Sequence, residues 1–421
     1  MRDELLRHST ILFSAMMAVH VCNVVFQMAV GRALSKEEYT LLAAFLGLLA
    51  MIQRPLATLG IAVSHYSSLL QQDDRIGDVK RLLQKWILLT GVPSLIIGAS
   101  VVLFNGVVAD FFHLDRVAPV VIAGAVFPAL FILPILGGAV QGLQRFGWSS
   151  ASTISGAMTR LGLGAGFVWF LYPACGWAML GHGLGIYVSA GALFAGLVWV
   201  LRGEPTTRRA LPSMRSYLIQ NFFIQVAYAV LMTADVVLVK HFLPEDTDFA
   251  YAATLGRMVV FLPGVIVAAM FPKVSSRGTT TTNQKAIFLQ SFKYTALFVV
   301  ASIIGCYAFG GLLIRILFGI TDATPNLKWM VTLMACVMGF SALLNVVVQF
   351  LVAQRRFVPA FSIIGFAVMY LVGVTVFHRT TWHVASVAGV CNAGALLVAF
   401  VAVVRIKSVG PAAAESDLTT E

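Results

Sequence analysis

Charge is what this 421-residue chain has least of. Only 11% of its residues are Asp, Glu, Lys or Arg, against 59% hydrophobic ones. A soluble domain is about a quarter charged and about half apolar, so the chain is not one. Cysteine is also scarce. Cys22, Cys175, Cys306, Cys336 and Cys391 form no Cys-x-x-Cys pair, and four lie inside apolar runs, which points to packing rather than metal or disulfide chemistry. No Walker loop, HExxH or nucleophile elbow is present, so nothing marks an enzyme and no cofactor or metal site is expected. Long polar segments are missing too. The longest loops on the N-terminal side, roughly 67–85 and 274–289, are too short for a soluble catalytic domain. Leu69-Leu70 and Leu82-Leu83, around Asp73, Asp74, Arg75 and Lys80, predict an amphipathic surface piece there.

What the chain has instead is long apolar runs. They fall at about 9–31, 40–66, 86–108, 118–140, 149–171, 177–201, 215–242, 250–273, 290–313, 327–352, 358–377 and 384–405. Each can cross a hydrocarbon core of ~30 Å as a helix. The runs are continuous rather than alternating, so helices are expected and not a barrel. The fold class is therefore all-α: twelve transmembrane helices in two parallel six-helix bundles around a central cleft. The bundles are residues 1–201 and 215–407, joined by a linker at 202–214, with an acidic disordered tail at 408–421. The first run has no Ala-x-Ala-like site and reads as an uncleaved helix. Of the 29 Lys and Arg, nineteen lie on the side of the N-terminus, seven on the opposite side, and Arg54, Arg160 and Arg257 inside spans. The positive-inside rule then puts both termini in the cytoplasm. The net charge of +11 reflects this bias and gives no reason to expect nucleic acid.

The two halves echo one another. Ala43-Ala-Phe-Leu-Gly47 returns as Ala252-Ala-Thr-Leu-Gly256, 209 residues later. After a one-residue slip, Pro55 faces Pro263 and Ser67-Ser68 faces Ser275-Ser276. Duplicated membrane proteins often place a substrate site between their halves. The paired prolines can kink their helices, and a matched pair of kinks fits rocking of one half against the other. Gly162-x-x-x-Gly166 and Gly181-x-x-x-Gly185 allow close helix packing.

Polar residues inside the spans fall on single helical faces. They are His20, Asn23 and Gln27 in the first span, and Gly47, Arg54, Thr58 and His65 in the second. The seventh carries Asn221, Gln225, Tyr228, Met232 and Asp235, the eighth Thr254 and Arg257, and the tenth Ser341, Asn345 and Gln349. A lone Asn or Gln is commonly interhelical packing glue. Long stripes in both halves predict a polar cavity between them. His20 and His182 read as packed polar groups. Asp235 and Arg257 both lie ~10 Å below the far surface, where they are expected to pair, either as a brace or as a gate or ion-coupling pair. Arg54 and Arg160 lie ~21 Å and ~17 Å deep, near the midplane. Three arginines against one embedded aspartate make the interior cationic, which suits an anion. Guanidinium groups bind phosphate oxygens bidentately, so Arg54 and Arg160 are the candidate phosphate ligands.

Several stretches resemble a known family. They are Gly31-Arg-Ala-Leu-Ser-Lys-Glu-Glu-Tyr39, Gln141-Gly-Leu-Gln-Arg-Phe146, Thr233-Ala-Asp-Val-Val-Leu-Val-Lys-His-Phe-Leu-Pro244, Tyr251-Ala-Ala-Thr-Leu-Gly-Arg257 and Phe271-Pro-Lys-Val-Ser275. They are similar to the polysaccharide-transporter flippases of the multidrug/oligosaccharidyl-lipid/polysaccharide exporter superfamily, across nearly the whole chain. The resemblance implies two six-helix bundles around a cleft. It also implies a multi-pass protein of the bacterial inner membrane that flips an anionic, polyprenyl-pyrophosphate-linked glycan by alternating access. A monomeric transport unit, a surrounding lipid bilayer, and a glycan polymerase or ligase as partner go with that role. Two alternatives stand beside it: an ion-coupled multidrug exporter of the same superfamily, and a non-transporting membrane scaffold. An exporter of cations needs embedded carboxylates, of which Asp235 is the one present; a scaffold needs no wet cavity.

Overall fold

The computed structural model describes residues 2–207, 215–275, 281–354 and 356–405. The expected tail at 408–421 and the second half of the linker, 208–214, lie outside the described residues. Twelve crossings follow one another. They are α1 (Arg2–Ala33), α2 (Lys36–Gln72), α3 (Asp78–Leu103), α4 (Ala118–Gly142), α5 (146–170), α6 (Cys175–Leu201), α7 (Arg215–Phe242), α8 (248–275), α9 (Thr281–Phe318), α10 (Pro325–Ala353), α11 (357–376) and α12 (Thr381–Val404). Among the described residues, 11 helices are long and apolar enough to cross a membrane. The twelfth crossing, α5, is interrupted.

Helices α1–α6 form one bundle and α7–α12 the other. The described ends, Arg2 and Arg405, lie at one face, termed proximal below, because an even number of crossings separates them; the opposite face is distal. Helix starts are capped as their sequences direct. Ser35, Thr324 and Thr380 accept the N–H groups of Glu38, Leu327 and His383 at 3.3, 3.2 and 3.4 Å. Glu38 also reaches across its bundle to accept the backbone N–H of Cys175 at the start of α6. A carboxylate there satisfies an orphan donor and complements the helix dipole.

The duplicated glycines do the same work in each half. A Cβ on Gly47 would sit 3.0 Å from Val236, and one on Gly256 would sit 2.9 Å from the backbone of Met334. Each thus lets the second helix of its bundle approach a neighbour closely. The neighbours differ: α2 packs on α7 of the other bundle, whereas α8 packs on α10 of its own. The paired prolines diverge as well. Helix α2 runs unbroken through Pro55, while α8 breaks at Val259 and Val260 and restarts at Phe261. There the N–H groups of Val259 and Val260 turn back to Gly256 and Arg257, each at 3.1 Å. Pro263, lacking an N–H, is then tolerated in the first turn of the new helix.

One expectation is corrected. No separate surface helix fills 67–85: Leu69 and Leu70 end α2, Leu82 and Leu83 start α3, and only Asp73–Gly77 connects them. The linker explains the tight connection. Asp78, fully buried, accepts Arg75 Nε at 2.9 Å, the Thr207 N–H at 2.7 Å and the Thr207 hydroxyl, while Lys80 donates to the Glu204 carbonyl at 2.8 Å. The polar residues read as interfacial instead fasten the start of the linker to the first bundle. At 274–289, α8 reaches Ser275 and α9 starts at Thr281, and the residues between them lie outside the described residues. All five cysteines are free thiols.

Candidate functional site

A cavity of about 220 Å³ lies between the bundles. Helix α1 contributes Asn23 and Gln27, α2 contributes Gly47 and Gln53, α5 and α6 contribute Arg160 and His182. From the second bundle come Thr233 of α7 and Thr254, Arg257 and Phe261 of α8.

Arg160 reaches the cavity from a wide turn. Residues Arg160–Ala165 form a π-helical segment between two α-helical pieces of α5. The cause is in the packing of α5 on α6. Ser152 and Ser189 exchange hydroxyl-to-carbonyl bonds at 2.8 and 2.9 Å, fixing the register at one end. Gly164 meets Gly181 so closely that a Cβ on Gly181 would sit 2.1 Å from the Gly164 Cα, fixing it at the other. A π turn takes up one extra residue without disturbing the helix on either side. The Arg160 guanidinium lies over the Phe26 ring at 4.1 Å and donates to Asn23 Oδ1 at 3.1 Å. Its Nε is buried and makes no hydrogen bond, and no carboxylate pairs with it among the described residues. The neighbouring His182 Nδ1 is likewise buried without a partner. A cation and spare polar groups therefore face a space where an anion fits.

Arg257 faces the same space from the other bundle. Its guanidinium also pairs with Asp235 of α7, whose side chain is 3% exposed. Asp235 is not part of the cavity wall. The net charge of the wall is positive: Arg160 is uncompensated and Arg257 is balanced from behind.

Arg54 stands elsewhere. It lies over the Tyr228 ring at 4.6 Å, in the seam between α2 and α7 and outside the wall of this cavity. The α7 stripe is spent in the same seam and the core behind it. Asn221 donates to Thr58 Oγ1 at 3.3 Å, and Tyr228 donates to the Ser341 carbonyl at 3.0 Å. Gln225 and Asn345 are buried, and Gln349 is half-buried; none of the three lines the cavity. His20 stacks on Phe261 at 4.7 Å, the point where α1 and α8 meet. Of the residues singled out in the sequence, the structure thus gathers Asn23, Gln27, Gly47, Arg160, Thr254 and Arg257 at one cavity, together with His182, which the sequence marks as a packed polar group. It places His20, Arg54, Thr58, Asn221, Gln225, Tyr228, Asn345 and Gln349 outside its wall. Gln53 and Thr233 line the cavity unforeseen; each sits one or two residues from the stripe of its helix, so the face turned to the cavity is rotated from the face the stripe marked. Asn392 is a second surprise. It accepts the Ser341 hydroxyl at 2.7 Å and donates to the carbonyls of Leu231 and Ala388 at 3.1 and 2.9 Å, tying α7, α10 and α12 together.

The distal end of the cavity is shut. Tyr39 of α2 lies flat on Tyr251 of α8, their centroids 4.6 Å apart, with Phe318 of α9 edge-on to both. The Tyr39 hydroxyl donates to Gln27 Oε1 at 3.2 Å and pairs with the Thr254 hydroxyl at 3.0 Å. Above it, Lys36 pairs with Asp248 at 3.2 Å and Thr40 donates to the Thr247 carbonyl at 3.2 Å. Arg32 donates to the Ile316 carbonyl. The two equivalent seams between bundles are unequal. Helix α2 packs on α7 along its length, whereas α1 meets α8 chiefly at the His20–Phe261 stack.

Two bundles of six helices with a site between them define a class: the fold is that of the MOP-superfamily transporters. The multidrug transporter DinF-BH of the MATE family superposes with a TM-score of 0.70 at 15% identity, covering 96% of this chain and 95% of its own. An inward-facing multidrug resistance MATE transporter of the superfamily gives 0.68 at 12%, covering 94% and 96%. The lipid II flippase MurJ, in an inward closed conformation, gives 0.67 at 13%, covering 96% of this chain and 88% of its own. No family model and no curated protein matches the sequence.

Proposed function

We propose that this protein moves an anionic, diphosphate-linked lipid glycan across the bacterial inner membrane, termini in the cytoplasm, by alternating access of the cavity. The observation that carries the reading is the charge of the cavity wall: Arg160 uncompensated and Arg257 beside it, with no carboxylate lining the space. In a low-dielectric site a cationic wall attracts phosphate and repels organic cations. The cavity volume of about 220 Å³ bounds what this closed form encloses: a diphosphate or one sugar, not an oligosaccharide and its lipid. The glycan would follow the open face of the cleft. The lipid tail would lie in the bilayer, leaving through the looser α1–α8 seam beside the His20–Phe261 stack. The aromatic lid of Tyr39, Tyr251 and Phe318 would open when the bundles rock.

The fold alone equally suits export of an organic cation. The chain also matches DinF-BH more fully in length than it matches MurJ, at 95% against 88% of the neighbour covered. Charge favours the anion, because the embedded carboxylate, Asp235, is paired with Arg257 and does not line the space. Reconstitution in liposomes tests the proposal. The wild type should translocate a fluorescent prenyl-diphosphate-linked glycan, and Arg160→Ala should slow it by at least ~10-fold, since a charge-assisted contact is worth about 1.5–3 kcal/mol. Translocation at the same rate in the variant, or efflux of organic cations in its place, would refute it.

A further inference from the structure

Arg257 belongs to two sites at once. It lines the cavity, and its guanidinium pairs with Asp235 behind the wall. That pairing is incomplete. Asp235 Oδ2 and Arg257 Nε are both buried with no hydrogen-bond partner. Tyr370 of α11 feels the charge of both, and its hydroxyl is buried and unpartnered too. Arg257 from α8 is the charged group that meets Asp235, and Tyr370 of α11 and Cys391 of α12 are the titratable groups on the neighbouring helices. Among the described residues, α2 and α10 bring no charge to it: α2 presents Gly47 one turn away, and the nearest polar group of α10, Ser341, is bonded to Asn392. One guanidinium is thus shared between an internal carboxylate and a space shaped for an anion.

We propose that Asp235 is the resident counter-ion of an exchange: a phosphate entering the cavity draws Arg257 away, and Asp235 then takes up one proton. The inference rests on the reading of the cavity as a phosphate site. No bond of the substrate changes. Arg257 keeps its charge and trades one oxyanion for another. The proton comes from bulk solvent and forms an O–H on the carboxylate, at the Oδ2 that lacks a hydrogen-bond partner. The driving force is the cost of a buried carboxylate stripped of its only counter-charge. Two consequences follow. Substrate and proton bind together rather than compete. Because binding takes up a proton, affinity must fall as pH rises, by up to ~10-fold per pH unit where uptake approaches one proton.

The test is calorimetric titration of the full-length protein in detergent with a short-chain prenyl diphosphoryl-hexose, a diester whose two phosphate charges stay constant between about pH 6 and about pH 8. Buffers of different ionisation enthalpy report proton uptake. The wild type should take up about one proton per ligand and lose affinity with rising pH. Asp235→Asn should bind more tightly than wild type, take up no proton and show no pH dependence. Binding by the wild type without proton uptake overturns the exchange and leaves the phosphate site standing. Tightening by sodium in place of proton uptake also overturns it. No binding of the diester by the wild type removes the reading of the cavity itself. The wild-type measurement decides alone if Asp235→Asn fails to fold.

Discussion

Tyr39 and Tyr251 come from opposite bundles and lie face to face, their rings 4.6 Å apart and within 2° of parallel. Both are fully or almost fully buried, and Phe318 closes against their edges. An aromatic pair contributes about 0.5–1.5 kcal/mol beyond the area it buries. Removing it should therefore shift the balance of closed and open distal ends by roughly 2- to 10-fold. Spin labels at the exposed distal positions Val117 and Asp322, one in each bundle, read that balance. Tyr39→Ala should increase the long-distance population; an unchanged distance distribution would mean the seal lies elsewhere.

Arg54 and Arg160 should behave differently although both are deep arginines. Arg54 stacks on Tyr228 in the α2–α7 seam, and Arg160 stands uncompensated at the cavity. Arg54→Ala is expected to cost about 0.5–2 kcal/mol of stability, the range for a cation–π contact, while leaving diphosphate affinity within ~3-fold of wild type. Thermal unfolding in detergent together with ligand titration separates the two effects. Loss of affinity at Arg54 equal to that at Arg160 would return Arg54 to the site.

Asp78 carries the linker. Its carboxylate is fully buried and holds Arg75 and both donors of Thr207. Asp78→Ala removes the anion and leaves those donors without it, a change that costs about 3 kcal/mol when a buried pair is broken. The expected outcome is fast limited proteolysis at 204–207 with the rest of the chain intact. A linker as resistant as that of the wild type would show that the clasp is dispensable.

Asn392 lies in a helix otherwise almost wholly apolar, and its side chain bonds to Ser341 and to two backbone carbonyls. Asn392→Leu should lower the unfolding midpoint, since each such bond within a membrane contributes about 0.6–2 kcal/mol. A midpoint equal to that of the wild type would mean that packing alone holds α7, α10 and α12.

These residues also show what the sequence discloses. Hydropathy finds the spans because each needs about 20 apolar residues, and a uniform solvent enforces that. It does not find the π turn of α5, which follows from the register of Gly164 against Gly181, a contact between two helices. Periodicity finds which face of a helix is polar but not what that face meets. The α1 stripe opens onto the cavity through Asn23 and Gln27. The similar α7 stripe is consumed by Thr58 and the core around Ser341. The repeat predicted matched kinks at Pro55 and Pro263, yet α2 runs unbroken through Pro55, packed along α7, while α8 is interrupted at Val259 and Val260. Depth counting brought Asp235 and Arg257 to one level. That Arg257 also faces the cavity depends on its rotation about the helix axis, which depth does not give.

The central claim is that the cavity selects an anion. The most direct measurement compares equilibrium binding of a prenyl-diphosphate-linked glycan and of a lipophilic organic cation to the wild type and to Arg160→Ala. The account predicts binding of the glycan, a loss of at least ~10-fold in Arg160→Ala, and no saturable binding of the cation to either protein. Tight cation binding to the wild type, with glycan binding absent or unchanged in Arg160→Ala, would contradict it.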